Sequence, residues 1–291
     1  MIYIVPELGL CNRIRVIESG ISLAAFKNDN LTILWKVNSD LGARFEDLFE
    51  PIYVVNMKIK VFNIFGPQDS IGFFSKFSSG INKFFYPKCF TQHDINNADE
   101  LMTYNQMALD FFSGKDSYSK YKDVIESFWR KKQKSLYINT HSRFCGPFLS
   151  KFSAFVISRE VKLLFDSINH DFNEYTLGIH IRRTDNIQAI QKSTTEKFVE
   201  AIDLELSNGV EKKIFLATDS FEEKKYFKER YGDKIITIEV NSNRFDTNGM
   251  KYAVLDLYCL SLCSKLIGSY FSSFTEVSVS FNRKKDYLII N

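Results

Sequence analysis

TLGIHIRRTD, residues 176–185, changes character in its middle: an apolar run of six residues ends abruptly in two arginines, a threonine and an aspartate. Short β-branched runs bounded by polar clusters read as buried strands, so residues 176–181 are predicted to form one. Working outward, Ser193 to Ser207 carries Phe198, Ala201, Ile202 and Leu204 at helical spacing. KIFLAT (213–218) is a second strand, and Ser220 with Glu223 three residues later has the form of a capping box opening a helix over Phe221–Tyr231. Gly232 is placed to end it. KIITIEV (234–240) is a third strand. Ala253, Leu257 and Leu260 mark a helix from about Gly249 to Ser264, KLIGS (265–269) is a fourth strand, Ser273 with Glu276 offers another capping box, and YLII (287–290) closes the chain as a fifth strand. Strands alternating with helices at this pitch are parallel and covered by helices on both faces. The C-terminal half is therefore α/β and Rossmann-like.

The N-terminal half begins in the same way. IYIV (2–5) is a strand, GLCN (9–12) a turn, Arg13 to Lys27 a helix and LTILWKV (31–37) a strand, with YVVNMKIKVF (53–62) expected as the next. Beyond it the pattern gives way to aromatic and basic residues, among them a Phe/Lys-rich stretch from Gly72 to Phe90 that reads as surface. A domain boundary is expected between residues 145 and 175, which divides the chain into 1–160 and 161–291.

Composition narrows the function. The 291 residues are 45% hydrophobic and 25% charged, which excludes a disordered chain, and a formal net charge of +3 is too small to indicate a nucleic-acid partner. No run approaches the roughly 20 apolar residues of a membrane span, and the N-terminus lacks the basic start of a signal peptide, so a soluble cytoplasmic protein is expected. Cys11, Cys89, Cys145, Cys259 and Cys263 show no zinc spacing and read as reduced core thiols.

Ligands of such folds bind outside the carboxyl ends of the strands. Side chains alternate along a strand, so His180 and Arg182 share a face. A guanidinium fork there suits a phosphate, since it donates paired, charge-assisted hydrogen bonds. Arg183 has two readings, a second ligand or a partner for Asp185 that stitches the loop down. Ser269-Tyr-Phe-Ser272-Ser273 leads into a helix N-terminus, a natural phosphate cradle, with capping by Ser273 as the plainer reading. Asp219 ends the second strand and Asp256 lies on the helix before the fourth. A carboxylate facing the ligand can accept paired N–H donors from a guanine edge, although solvation or capping is the plainer reading of either residue taken alone. Asn12 either caps the first helix or reaches the ligand. The chain contains neither GxGxxG nor a Walker A motif, which argues against a nicotinamide dehydrogenase and a P-loop ATPase.

GIHIRRTD (178–185), FLATDS (215–220) and VLDLYCLSLCSKLIGSYFSSF (254–274) together resemble the segments of GDP-fucose-dependent fucosyltransferases with an HxRR motif, the α1,6, α1,2 and protein O-fucosyltransferase group. GLCNRIR is similar to the Gly-x-x-Asn turn near the start of those enzymes. The resemblance covers residues 176–281, more weakly 1–50, and nothing between about 55 and 170. It implies a GT-B architecture of two Rossmann-like domains facing a cleft. It also implies metal-independent, inverting transfer of fucose from GDP-fucose to a carbohydrate hydroxyl, with no cofactor. On this resemblance Arg182 contacts the β-phosphate and Arg183 assists, Ser272 and Ser273 support the phosphates, and His180 and Asp256 meet the nucleoside. Asp219 lies near the donor, and Asn12 with Arg13 approaches the diphosphate from the other domain.

One departure stands out: Ile190 occupies the place where the α1,6 enzymes carry a glutamate base. Asp185 is the substitute assigned here, Glu7 an alternative, and no base at all a third option. Two further readings stay open, a GT-B enzyme using another nucleotide sugar and a non-catalytic nucleotide-sugar-binding subunit of polysaccharide assembly. A lipid-linked acceptor would bring peripheral membrane contact through the basic, aromatic stretch.

Overall fold

The computed structural model describes residues 1–65, 89–91, 136–141, 143–144, 154–168, 172–184, 186–240, 243–281 and 286–291. They fall into two compact units, Met1–Val156 with Arg244–Thr247, and Ile157–Asn243 with Asn248–Asn291.

In the first unit the described strands are β1 (Ile2–Pro6), β2 (Leu31–Val37), β3 (Ile59–Phe65), β4 (Cys89–Thr91) and β5 (Leu136–Thr140), all parallel in the order β3-β2-β1-β5-β4. Helix α1 (Leu10–Lys27) and the single turn α2 (Phe45–Leu48) complete its described elements. Helix α1 begins three residues earlier than the sequence indicates, directly after Gly9 in extended conformation. Asn12 and Arg13 therefore lie in its first turn. The third strand starts later than expected, because Val54 and Met57 pair across a tight turn and use up residues 53–58. Ile2, Ile4, Ile33 and Trp35 fill this core, with the Trp35 indole N–H donating to the Ala43 carbonyl at 2.9 Å. The Phe/Lys-rich stretch lies outside the described residues apart from the backbone of its last two.

The second unit contains α3 (Arg159–Asp166), β6 (Leu177–Ile181), α4 (Ile187–Lys192), α5 (Thr195–Leu206), β7 (Ile214–Thr218), α6 (Phe221–Tyr231), β8 (Ile235–Thr237), α7 (Thr247–Leu262, whose first residue belongs to the first unit), β9 (Lys265–Ser269), α8 (Ser273–Phe281) and β10 (Tyr287–Ile290). Its sheet is parallel throughout, in the order β10-β9-β6-β7-β8. Counted from β6 and read from the other edge, this is the doubly wound order 3-2-1-4-5, with the chain reversing direction across the sheet between β6 and β9. Leu177, Ile179, Ile181, Ile214, Leu216 and Ile267 of the strands pack against Phe198, Ile202 and Phe227 of α5 and α6. Helix α6 has the predicted bounds. The Ser220 side chain accepts from Glu223 N at 3.2 Å, and Gly232 ends the helix at φ 55, where a side chain would be strained. Strand β8 is shorter than KIITIEV suggests, and α4, whose N-cap Asn186 accepts from Ala189 N at 3.1 Å, is an element that periodicity did not announce.

Among the described residues no helix is long and apolar enough to cross a membrane. Cys11, Cys259 and Cys263 are free and buried; Cys145 and the Cys89 side chain lie outside the described residues.

Candidate active site

The switch point between β6 and β9 brings together most of the residues singled out above. His180 and Gly268 are paired across the two strands. A Cβ at Gly268 would come 2.9 Å from Thr275 Oγ1 and closer still to its Cγ2, so only glycine lets α8 approach this far. That approach puts the Thr275 hydroxyl 2.7 Å from His180 Nδ1, and the imidazole stacks on Phe274 at 4.8 Å between ring centroids. Burial, with Arg182 adding to it and Asp219 opposing, pushes the His180 pKa down to about 3. His180 is therefore a neutral hydrogen-bonding group at physiological pH.

Arg182 leaves the strand with its backbone N–H on Ser269 Oγ at 2.9 Å, and the same hydroxyl donates to the His180 carbonyl at 3.3 Å. Its guanidinium forms an ion pair with Asp219 at 2.9 Å while a quarter of the side chain stays exposed. Asp219 also accepts from Arg183 N at 2.7 Å and from the Thr184 hydroxyl at 2.6 Å. One carboxylate thus fixes both the turn after β6 and the arginine that leads into it.

Arg183 has a different task. Its fork donates to Glu223 at 2.6 Å, to the Ser193 carbonyl at 2.9 Å and to Thr195 Oγ1 at 3.2 Å, and the Thr195 hydroxyl donates to the same Glu223 oxygen. The stitching reading is the observed one, with Glu223 as the partner. Glu223 consequently does not reach back to complete a reciprocal capping box at Ser220. Asp185 lies outside the described residues.

The turn from β9 to α8 faces Arg182 across the strand pair. Ser272 supplies the carbonyl that accepts from Glu276 N at 3.0 Å, so the helix is capped one residue earlier than predicted, with Ser273 in its first turn. Phe271 holds φ 55, a strained value for a bulky residue, and its carbonyl accepts from Asn186 Nδ2 at 2.6 Å. The strain is braced by the loop that carries Arg182. Ser269, which accepts from Arg182 N, leads through this turn into the helix, so an arginine-bearing strand end and a helix N-terminus are neighbours, the two kinds of group that can stabilise a phosphate.

Asp256, on α7, stands apart from this cluster. Its Oδ1 is buried and has no hydrogen-bond partner among the described residues. Burial pushes the carboxyl up to about 7, against the downward pull of Lys224. In the first unit Arg13 is fully buried, donating to the Leu8 carbonyl at 2.6 Å, to the Lys36 carbonyl and to Asn38 Oδ1 at 2.9 Å, and lying 5.0 Å over the Trp35 ring. This corrects its reading as a diphosphate contact: the guanidinium is committed to holding the ends of β1 and β2. Asn12 accepts from Arg15, and Glu7 forms an ion pair with Lys36. Glu196 is held below the usual carboxylate range by hydrogen bonds from its own backbone and Thr194, which makes it a poor base. Ile190 sits on α4, partly exposed.

Sequence reasoning did not single out Thr275 or the cross-strand contacts of Ser269. Ser269 and Thr275 act through backbone and ring contacts across β6 and β9, and nothing in a linear sequence announces which strands are neighbours. Among the described residues no group of three potential metal ligands forms.

The two parallel sheets define a protein of the α/β, GT-B type with two Rossmann-like units, as the sequence led one to expect. Solved structures with this fold include NodZ α1,6-fucosyltransferase soaked with GDP-fucose, with a TM-score of 0.63 and 16% identity, covering 96% of this chain and 92% of that one. Fucosyltransferase NodZ from Bradyrhizobium gives 0.57 and 17% over 96% and 91%. POFUT1 in complex with GDP-fucose gives 0.54 and 12% over 100% and 98%. At these identities the likeness establishes the shared fold. No protein-family model matches the chain, and no curated protein matches it in sequence.

Proposed function

We propose that the chain is an inverting glycosyltransferase that moves fucose from GDP-fucose to a carbohydrate hydroxyl, with the donor in residues 161–291 and the acceptor served by residues 1–160. The observation that carries this reading is Arg182, held by Asp219 beside the N-terminus of α8 at the switch point. The solved structures of similar fold lend it support, since they include NodZ and POFUT1 with GDP-fucose.

In the reaction the acceptor oxygen attacks the anomeric carbon from the face opposite the diphosphate. The bond to the β-phosphate oxygen breaks, and negative charge grows on the leaving group. Arg182 and the N–H groups of Ser272 and Ser273 meet that charge, a task a divalent cation performs elsewhere. Neutral His180 and the Asp256 carboxylate orient the nucleoside. The acceptor proton passes to Asp185 or to water; an oxocarbenium-like transition state asks little of a base, which is consistent with Ile190 replacing a glutamate.

Binding is tested by thermal shift with GDP, GDP-fucose, UDP and UDP-sugars, with and without EDTA. A ligand at about 100 times its dissociation constant adds roughly 2.7 kcal/mol, several degrees for a protein of this size. A GDP-selective shift that survives EDTA supports the reading, and no shift with any guanosine ligand overturns it. Ile190 also favours a second reading, a nucleotide-sugar-binding subunit that binds GDP-fucose yet neither hydrolyses it nor transfers it to any acceptor in a glycan panel. In either role the chain would work in the cytoplasm on surface-polysaccharide assembly.

A further inference from the structure

Helices α6 and α7 follow the adjacent strands β7 and β8, and each carries one ionisable side chain with a buried polar end. Lys224, on α6, is only 5% exposed, and its ammonium donates to the Ile238 carbonyl at 2.7 Å. Asp256, on α7, keeps Oδ1 buried without a hydrogen-bond partner among the described residues. The two charges feel one another, yet no ion pair joins them. Burying opposite charges is costly, and a purely structural pair recovers the cost by direct contact. Here contact is not made, so two polar groups of complementary sense are left over. An ammonium has three N–H donors and one is used, whereas the carboxylate oxygen has all its acceptor capacity open.

We propose that Lys224 is a nucleobase-selecting residue, the ammonium donating to a ring carbonyl while the Asp256 carboxylate accepts the ring N–H and amino N–H beside it. This rests on the reading of the site as one for a GDP-sugar, and it adds the donor that the carboxylate alone does not supply. Guanine carries O6, N1–H and the N2 amino group in that sequence along one edge. Adenine presents an unprotonated N1 to the carboxylate, and uracil offers one N–H between two carbonyls, so both are disfavoured. The groups around the carboxylate are Lys224 from α6 and, one turn along α7, Cys259, whose thiol burial pushes well up and keeps neutral. The carboxylate is ionised and able to accept two N–H groups only above about pH 7, and Lys224 is what extends that range downward.

The test is calorimetric titration of the full chain with GDP and with 6-thioguanosine diphosphate, which keeps N1–H, the N2 amino group and the phosphates but replaces O6 with sulfur, a weak acceptor. One charge-assisted hydrogen bond corresponds to a preference for GDP of about ten- to a hundred-fold in the wild type. Lys224→Met should reduce that preference to within about three-fold. Lys224→Gln, with a neutral donor for the Ile238 carbonyl, serves if the methionine variant does not fold and should reduce it likewise. A folded variant that retains the wild-type preference overturns the proposal, as does a wild type that binds both diphosphates equally. A wild type that binds neither sinks the GDP-sugar reading itself, and is thus distinguishable.

Discussion

Asp256→Asn should make the ligand-free protein more stable while weakening its hold on GDP. Burial pushes the Asp256 carboxyl up to about 7, whereas in the unfolded chain it titrates near 4. A group whose folded pKa is raised contributes its relative stability below the unfolded value and loses it as pH rises through the folded one. Three units correspond to roughly 4 kcal/mol at most; since the carboxylate is partly open to solvent, about 2 kcal/mol is the better expectation. Asparagine mimics the protonated acid, so at pH 8 the variant should melt about 4–8 °C above the wild type. The gap should close as pH falls from 7 toward 4. Scanning calorimetry of both proteins at pH 4 to 8, without ligand, measures it. A gap that does not change with pH, or a variant less stable at pH 8, would refute the assignment of an unsatisfied buried charge. The same exchange turns one acceptor into a donor facing the base N–H groups, so GDP affinity should drop by at least ten-fold.

Adjacent arginines should separate stability from activity. Arg183→Ala strands the nearly buried Glu223 and should cost about 3 kcal/mol in denaturant unfolding, whereas Arg182→Ala should lower fucose transfer by about 10² to 10³ with a melting temperature close to wild type. Gly268→Ala drives a methyl group into Thr275 and should cost about 1–3 kcal/mol together with much of the GDP affinity. Adding Thr275→Ser, which removes Cγ2, should restore part of both; if the double variant is no better than the single, the close approach of β9 and α8 is not what limits that position.

Legibility in the sequence followed physical locality. Periodicity located β6, β7, β9 and β10 to within a residue of their observed bounds, because each is a short apolar run closed by polar residues. Helix α6 was legible for the same reason, with Ser220 and Gly232 marking its two ends in the sequence itself. The strand order was not legible, since the neighbours β6 and β9 are more than 80 residues apart and only the folded sheet decides that they pair. Arg183 shows the limit most clearly. Strand alternation set it on the face opposite Arg182 and left ligand contact and stitching both open, and what decides between them is Glu223 and Thr195, brought to it by the packing of α5 and α6.

Charge at this edge of the sheet is arranged in two grades. Arg183 with Glu223 is a direct ion pair that stitches three elements together, with Glu223 Oε1 accepting from both Arg183 and Thr195 while Oε2 is buried without a partner among the described residues. Lys224 with Asp256, and the strained turn at Phe271, are not satisfied in the same sense: each holds polar capacity or backbone energy in reserve. An asparagine at 256 or a glycine at 271 would relieve the cost without any ligand, whereas Lys224 also holds the Ile238 carbonyl. The purine nucleoside diphosphate proposed above would answer the polar groups among them, with its anionic end at the α8 N-terminus and its polar, planar end toward Lys224 and Asp256, while the strain at Phe271 is carried by the turn itself.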